Sequence, residues 1–274
     1  MTVDRIIELE GAVNFRDLGG YATADGQRTR WRVLFRADGL GELTEADLAI
    51  LRQLRIRTVI DLRTGHELEQ SRFDVDAHPV EFHHFPFIKA LSDAEDFQRA
   101  PGFLGAQYQQ MLEDAASQIV GALSALAAPD ARPAVFHCTA GKDRTGLLSA
   151  LVLSLLGVPE DTVVADYALS GAAMTRLRAK LLVKFPNGKL LTEDSDAIFS
   201  ADPANMVRLF AHLKERYGTV RAYASAIGVP DDVVERLREA MLEHESEELP
   251  LQSQLLSATG ASGRSLPPRP GRAR

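Results

Sequence analysis

Cys138 is the only cysteine in the chain, and five residues, Thr139, Ala140, Gly141, Lys142 and Asp143, separate it from Arg144. That spacing lets the backbone curl until successive N–H groups point inward at the start of a helix, which makes an anion cradle. The planar fork of Arg144 adds donors suited to phosphate oxygens. Partial positive charge at the helix start and the guanidinium both favour a sulfur anion at Cys138. Nucleophile and oxyanion site therefore coincide, and the chemistry this permits is attack on phosphorus to give a cysteinyl-phosphate that water then cleaves. In that reaction Cys138 is the nucleophile, while Arg144 and the amides running from Thr139, Ala140, Gly141 and Lys142 to Arg144 hold the equatorial oxygens. His137 would orient the loop. Thr145 would donate its hydroxyl to the departing sulfur, or serve only as a helix cap.

Such a loop has to be held between rigid elements. Before it, Pro133-Ala134-Val135-Phe136 is a short, apolar, β-favouring run, and after it Leu147 to Leu156 is long, apolar and helix-compatible. The β-branched run Arg57 to Arg63 predicts a strand beside the first, ending in Asp61 and Arg63 where open α/β sheets collect ligands. Those two side chains either fix the loop or reach a ligand. Trp31 to Arg36 and Val80 to Pro86 predict further strands; alternation sends His83 and His84 to opposite faces, so no metal site is predicted there. Thr44 with Asp47 opens a helix bearing Leu48, Leu51 and Leu54, and apolar spacing from Gln107 to Ala128 predicts one long amphipathic helix closed by Pro129. The stretch Asn14 to Gly20 predicts a turn at Gly19-Gly20, with Arg16 either paired to Asp17 against the catalytic loop or reaching a substrate. Past Gly157-Val158-Pro159, helices are predicted at about 160–169, 172–185, 203–216, 219–227 and 231–245. The fold class is α/β: a central, mostly parallel sheet flanked by helices, with a helical C-terminal half.

His137-Cys138, five residues, then Arg144-Thr145-Gly146 resembles the signature of the cysteine-dependent protein tyrosine phosphatases. The variant running from Cys138 to Thr145 is similar to a bacterial group of these enzymes, and Lys142-Asp143-Arg144 is also similar to phosphoinositide phosphatases. Three more stretches match the bacterial group: Asn14 to Gly20, Thr58 to Arg63 with Glu67, and Tyr217-Gly218-Thr219-Val220. The resemblance spans roughly residues 10 to 242. It implies a protein tyrosine phosphatase-like fold, no cofactor, and phosphotyrosine proteins or other phosphomonoesters as partners, with some action on phosphoserine, phosphothreonine or phosphoinositides. Relatives can place an acidic residue shortly after the strand that here ends at Pro86, but this chain reads Phe87-Ile88-Lys89, and the nearest acids are Asp93, Glu95 and Asp96. We therefore assign the general acid to Asp143 inside the loop, which requires it to be protonated, against a purely structural role. Lys142 is expected as a mobile cation at the pocket rim, meeting a second phosphate, or as a solvated loop lysine.

A rhodanese-like sulfurtransferase also uses one cysteine in an anion-cradling loop, and a phosphate-binding adaptor with little turnover would need the same cradle. With one cysteine no intrachain disulfide can form, which favours a reducing compartment, the cytoplasm; signal-less secretion stays open. No basic start with an apolar signal core and no membrane-length run is present, and the net charge of −7 argues against a nucleic-acid binder. Residues 1–247 are expected as the catalytic domain, with a lid over Lys89 to Gly105, and residues 248–274 as a disordered tail rich in proline, arginine and serine.

Overall fold

A computed structural model describes residues 4–88, 103–184 and 199–244. The expected tail, nearly all of the expected lid, and Asp93, Glu95 and Asp96 lie outside the described residues. The chain divides into a unit of residues 1–243 and another of 244–274, and everything placed around Cys138 belongs to the first.

Five strands form the central sheet in the order β1 (Arg16–Asp17), β3 (Leu34–Ala37), β6 (Ala134–His137), β4 (Thr58–Asp61) and β5 (Glu81–His84), with β2 (Gln27–Thr29) outside it. The last four of the sheet are parallel; β1 alone runs antiparallel, against β3. The mostly parallel sheet and the β4–β6 pairing are as the sequence predicts, while the strand expected from Trp31 begins only at Leu34. Parallel sheets are covered on both faces, and the alternation along these strands shows it. Leu34, Phe136 and Ile60 face one apolar cluster, and Phe35, Val135 and Val59 face another. Register sets Ala37 and Asp61 on either side of His137, so Cys138 leaves the carboxyl edge of the sheet from its middle strand.

The chain then enters α5 (Asp143–Leu155), in which every residue from Arg144 to Leu153 is buried. A helix apolar on all sides belongs in a core, and this one anchors the loop as firmly as β6 does. α1 (Glu45–Gln53) opens with the expected reciprocal bonds: Asp47 N–H donates to Thr44 Oγ1, and Thr44 N–H to the Asp47 carboxylate. α2 (Gly65–Gln70) opens the same way through Thr64 and Glu67. The single helix expected over 107–128 is two, α3 (Phe103–Asp114) and α4 (Ala116–Ala127), broken where Ala115 takes φ −97° and ψ 12°. The break lets each half pack on a different helix: α3 on α8 (Pro203–Tyr217) and α4 on α10 (Asp231–Met241). α6 (Glu160–Ala168), α7 (Ser170–Lys184) and α9 (Val220–Ala226) complete the helical half. α10 stops short of the predicted residue 245, because the backbone at Leu242–His244 is extended. Among the described residues no helix is long and apolar enough to cross a membrane.

Candidate active site

Four consecutive carbonyls of the loop after β6 are tied back to the protein. His137 Nδ1 donates to Cys138 O at 3.2 Å, Gly39 N–H to Thr139 O at 3.1 Å, and Asn14 Nδ2 to both Ala140 O and Gly141 O at 3.0 Å. Arg36 Nη2 adds a second bond to Gly141 O at 2.8 Å. In a trans peptide the carbonyl and the next N–H point in opposite directions, so these bonds aim the amides of residues 139–142 at the inside of the loop. Among the described residues the amides of Thr139, Ala140, Gly141, Asp143 and Arg144 donate no hydrogen bond within the protein, which leaves them for an anion. Gly141 has φ +67°, and a Cβ there would come within 2.6 Å of Ala37 O and Asp38 N, so the curl needs glycine.

The residues that hold the loop are themselves held by Asp166, which accepts from Arg36 Nη1 at 2.6 Å, Arg16 Nε at 3.1 Å and Tyr21 Oη at 2.8 Å. Arg16 also donates to Asn14 Oδ1. Burial pushes the Asp166 carboxyl up, but the two guanidinium groups outweigh it and hold the group well below the usual carboxylate range. Arg16 and Asp17 are thus not paired with each other, a correction to the sequence reading. Adjacent strand residues point to opposite faces, and the Asp17 carboxylate instead accepts from the amides of Gly19 and Arg32. Asp166→Asn would leave Arg16 and Arg36, both almost fully buried, without their counter-charge. It is expected to lower the unfolding free energy by about 3–5 kcal/mol, read from denaturant midpoints.

Arg144 forms a two-pronged pair with Glu67, Nη1 to Oε2 at 2.6 Å and Nη2 to Oε1 at 2.8 Å. Thr139 Oγ1 donates to the same Glu67 Oε1, and Thr64 N–H donates to Oε2 at 2.9 Å. Burial favours protonated Glu67, yet Arg144, Thr139 and Thr64 together hold its carboxyl down at about 2. Burial opposes the charge on Arg144 in turn, and the nearby Cys138, Glu67 and Asp143 outweigh it, so the guanidinium stays charged. Sequence reasoning gave Glu67 no role. The available signal was Thr64-x-x-Glu67, a capping box that fixes the glutamate at a helix start.

Cys138 is buried at the base of the loop, and Thr145 Oγ1 beside the start of α5 is buried with no hydrogen-bond partner. His137 is fully enclosed, and burial lowers its proton affinity despite Asp61 Oδ2 at 3.5 Å from Nε2; its bond to Cys138 O braces the loop. Asp61 grips Arg63 with bonds of 2.6 and 3.0 Å, and Arg63 reaches on to Ser71 O at 2.7 Å. Both side chains are buried, and the bonds described for them go to protein partners. Asp143 opens α5 and accepts from Tyr108 Oη at 2.5 Å.

Lys142 differs from the expected rim cation. It is only 1 % exposed, with Nζ donating to Ser200 O at 2.9 Å and lying 3.5 Å from Asp143 Oδ1. Loop curvature turns this side chain inward under the residues before α8. Lys142→Ala is therefore expected to reduce activity on every phosphomonoester by the same factor, about threefold to tenfold for one buried charged bond. A change confined to phosphoinositides would restore the rim reading.

A thiol at the base of an amide-lined loop that ends in a forked arginine, on a mostly parallel α/β sheet, defines a cysteine-dependent phosphatase. The chain belongs to the tyrosine phosphatase family, whose sequence profile matches residues 7–243. It is 30% identical to a "Triple specificity protein phosphatase PtpB" of Mycobacterium tuberculosis over 86% of this chain and 98% of that protein. It is 31% identical to a "Tyrosine-protein phosphatase" of Nostoc commune over 74% of this chain and 72% of that one. Among solved structures, the catalytic core of the PP-IP phosphatase SIW14 from S. cerevisiae aligns over 69% of this chain and 89% of its own, at 13% identity and a TM-score of 0.34.

Proposed function

We propose that the protein hydrolyses phosphotyrosine in proteins, with further action on phosphoserine, phosphothreonine or phosphoinositides. The observation that carries the reading is the outward tethering of the carbonyls of residues 138–141, which turns the amides of residues 139–142 inward after Cys138. Cys138 attacks phosphorus as the bond to the tyrosyl oxygen breaks. The amides and Arg144 take up the charge on the equatorial oxygens. Asp143 gives its proton to the leaving oxygen, then takes one from the water that cleaves the S–P bond and releases phosphate and thiolate.

Breadth is supported by the name of the mycobacterial relative, "triple specificity", rather than by Lys142, whose ammonium is engaged inside the protein. A reducing compartment, the cytoplasm first among them, would keep the single thiol in the form this role needs.

Phosphate release from a phosphotyrosine peptide and a phosphoinositide, measured side by side, tests the substrate class. Release from the peptide alone would narrow the reading to tyrosine, and tight peptide binding without release would revive the adaptor. Asp143→Asn is expected to lower kcat/KM on the phosphotyrosine peptide by about 10²-fold. Full turnover in that variant, with loss in an Asp93 or Asp96 variant, would move the acid elsewhere.

A further inference from the structure

Asp143 is fixed at its backbone by the start of α5, and its side chain is 28% exposed. Its short bond to the protein comes from Tyr108 on α3, whose Oη donates to Oδ1; Lys142 Nζ lies 3.5 Å from the same oxygen. Tyr108 Oη is also 2.8 Å from Tyr167 Oη on α6, with the rings edge-on at 79°. A phenol carries one hydrogen, so when Tyr108 donates to Asp143 it is Tyr167 that donates to Tyr108. The Tyr167 ring lies on Gly146, where a Cβ would stand 3.0 Å from Cδ2. Elements α3 and α6 thus converge on one carboxyl at the mouth of α5.

Both tyrosine side chains are buried, and burial together with Asp143 raises their pKa values, so each stays a neutral donor. Phenylalanine would fill the same space without hydroxyls that need partners, so packing alone does not account for two phenols. What the hydroxyls add is direction: a bond to Oδ1 leaves Oδ2 for the proton.

We propose that Tyr108, backed by Tyr167, is the positioning residue of the general acid, holding Asp143 with Oδ1 turned to the protein and Oδ2 turned to the leaving oxygen. This rests on Asp143 being that acid. The consequence is selective. Departure of a tyrosyl oxygen needs the proton, whereas dinitrophenolate leaves as a stable anion, so only the first reaction depends on where Oδ2 points.

The test is kcat/KM for a phosphotyrosine peptide and for dinitrophenyl phosphate in the full-length protein and in Tyr108→Phe, Tyr167→Phe, Asp143→Asn and the Tyr108→Phe/Asp143→Asn double variant. Tyr108→Phe is expected to lose about tenfold on the peptide, part of the 10²-fold a general acid supplies, with less than about twofold on dinitrophenyl phosphate. Tyr167→Phe should show the same selectivity at smaller amplitude, and Tyr108→Phe should add nothing in the Asp143→Asn background. Equal losses on both substrates, or full additivity in the double variant, would reduce Tyr108 to a packing residue and overturn the proposal. If Asp143→Asn itself shows no selectivity for the peptide, the assignment of the acid fails and this inference falls with it. Selectivity in Asp143→Asn without any in Tyr108→Phe would sink the inference alone.

Discussion

Cys138→Ser is expected to lower phosphate release from a phosphotyrosine peptide by at least about 10⁴-fold, as loss of an enzyme nucleophile does. A serine hydroxyl stays protonated where a thiol can ionise, and no other cysteine exists to take over the attack. Binding should survive the change. The loop is shaped by bonds to its carbonyls from His137, Gly39, Asn14 and Arg36, none of which involves the sulfur. The variant should therefore hold phosphotyrosine peptide with a Kd near that of the normal protein while releasing no phosphate, and calorimetric titration beside a phosphate assay reads both. Retained turnover would remove Cys138 from the chemistry, and loss of binding with loss of turnover would show that the sulfur also shapes the cradle.

Arg144→Lys should lose about 10³-fold in kcat/KM, the upper range for removing a donor that meets developing charge. The reason is geometric. Glu67 fixes the guanidinium by two parallel bonds from Nη1 and Nη2, which set its plane and spare Nε–H for a phosphate oxygen; an ammonium can reproduce neither pairing. Glu67→Gln would keep the shape and lose the charge, with an expected loss of about tenfold as Arg144 becomes less constrained. The pair also sets an acid limit. Because the folded carboxyl sits at about 2 against an ordinary 4.5, its contribution to stability is full above the ordinary value and disappears as pH falls through the folded one. Between pH 5 and 2 this carboxyl should account for about 3 kcal/mol of lost stability, and the unfolding free energy of Glu67→Gln should fall correspondingly less over that window. At neutral pH the clamp is unaffected, so any pH dependence of kcat there has another origin.

Much of the helical half is legible in local chemistry. Asp202 accepts from Ala204 N–H with Pro203 at the first turn of α8, and Gly218 and Gly228, at φ +81° and +95°, follow α8 and α9 where chain reversal favours glycine. The helix over 107–128 was less legible, since periodicity continues straight through Ala115 and only the separate partners of α3 and α4 divide it. Lys142 was misread for a related reason: a lysine in a polar loop is usually solvated, and nothing local shows that the curl turns it inward toward Ser200.

By itself the sequence determined the chemistry that needs only neighbours. One cysteine, five loop residues, a forked cation and an apolar helix behind them put a thiol in an anion cradle, because backbone amides and a helix start are available to any chain with that spacing. Tertiary structure alone decided which distant groups hold that loop open. Asn14 reaches its carbonyls across 126 residues of chain, Glu67 meets Arg144 across 77, and Asp166 gathers Arg36 across 130. Those partnerships follow from the parallel register that lays β3, β6 and β4 side by side and from burial, which leaves each enclosed polar group to find a partner within the fold.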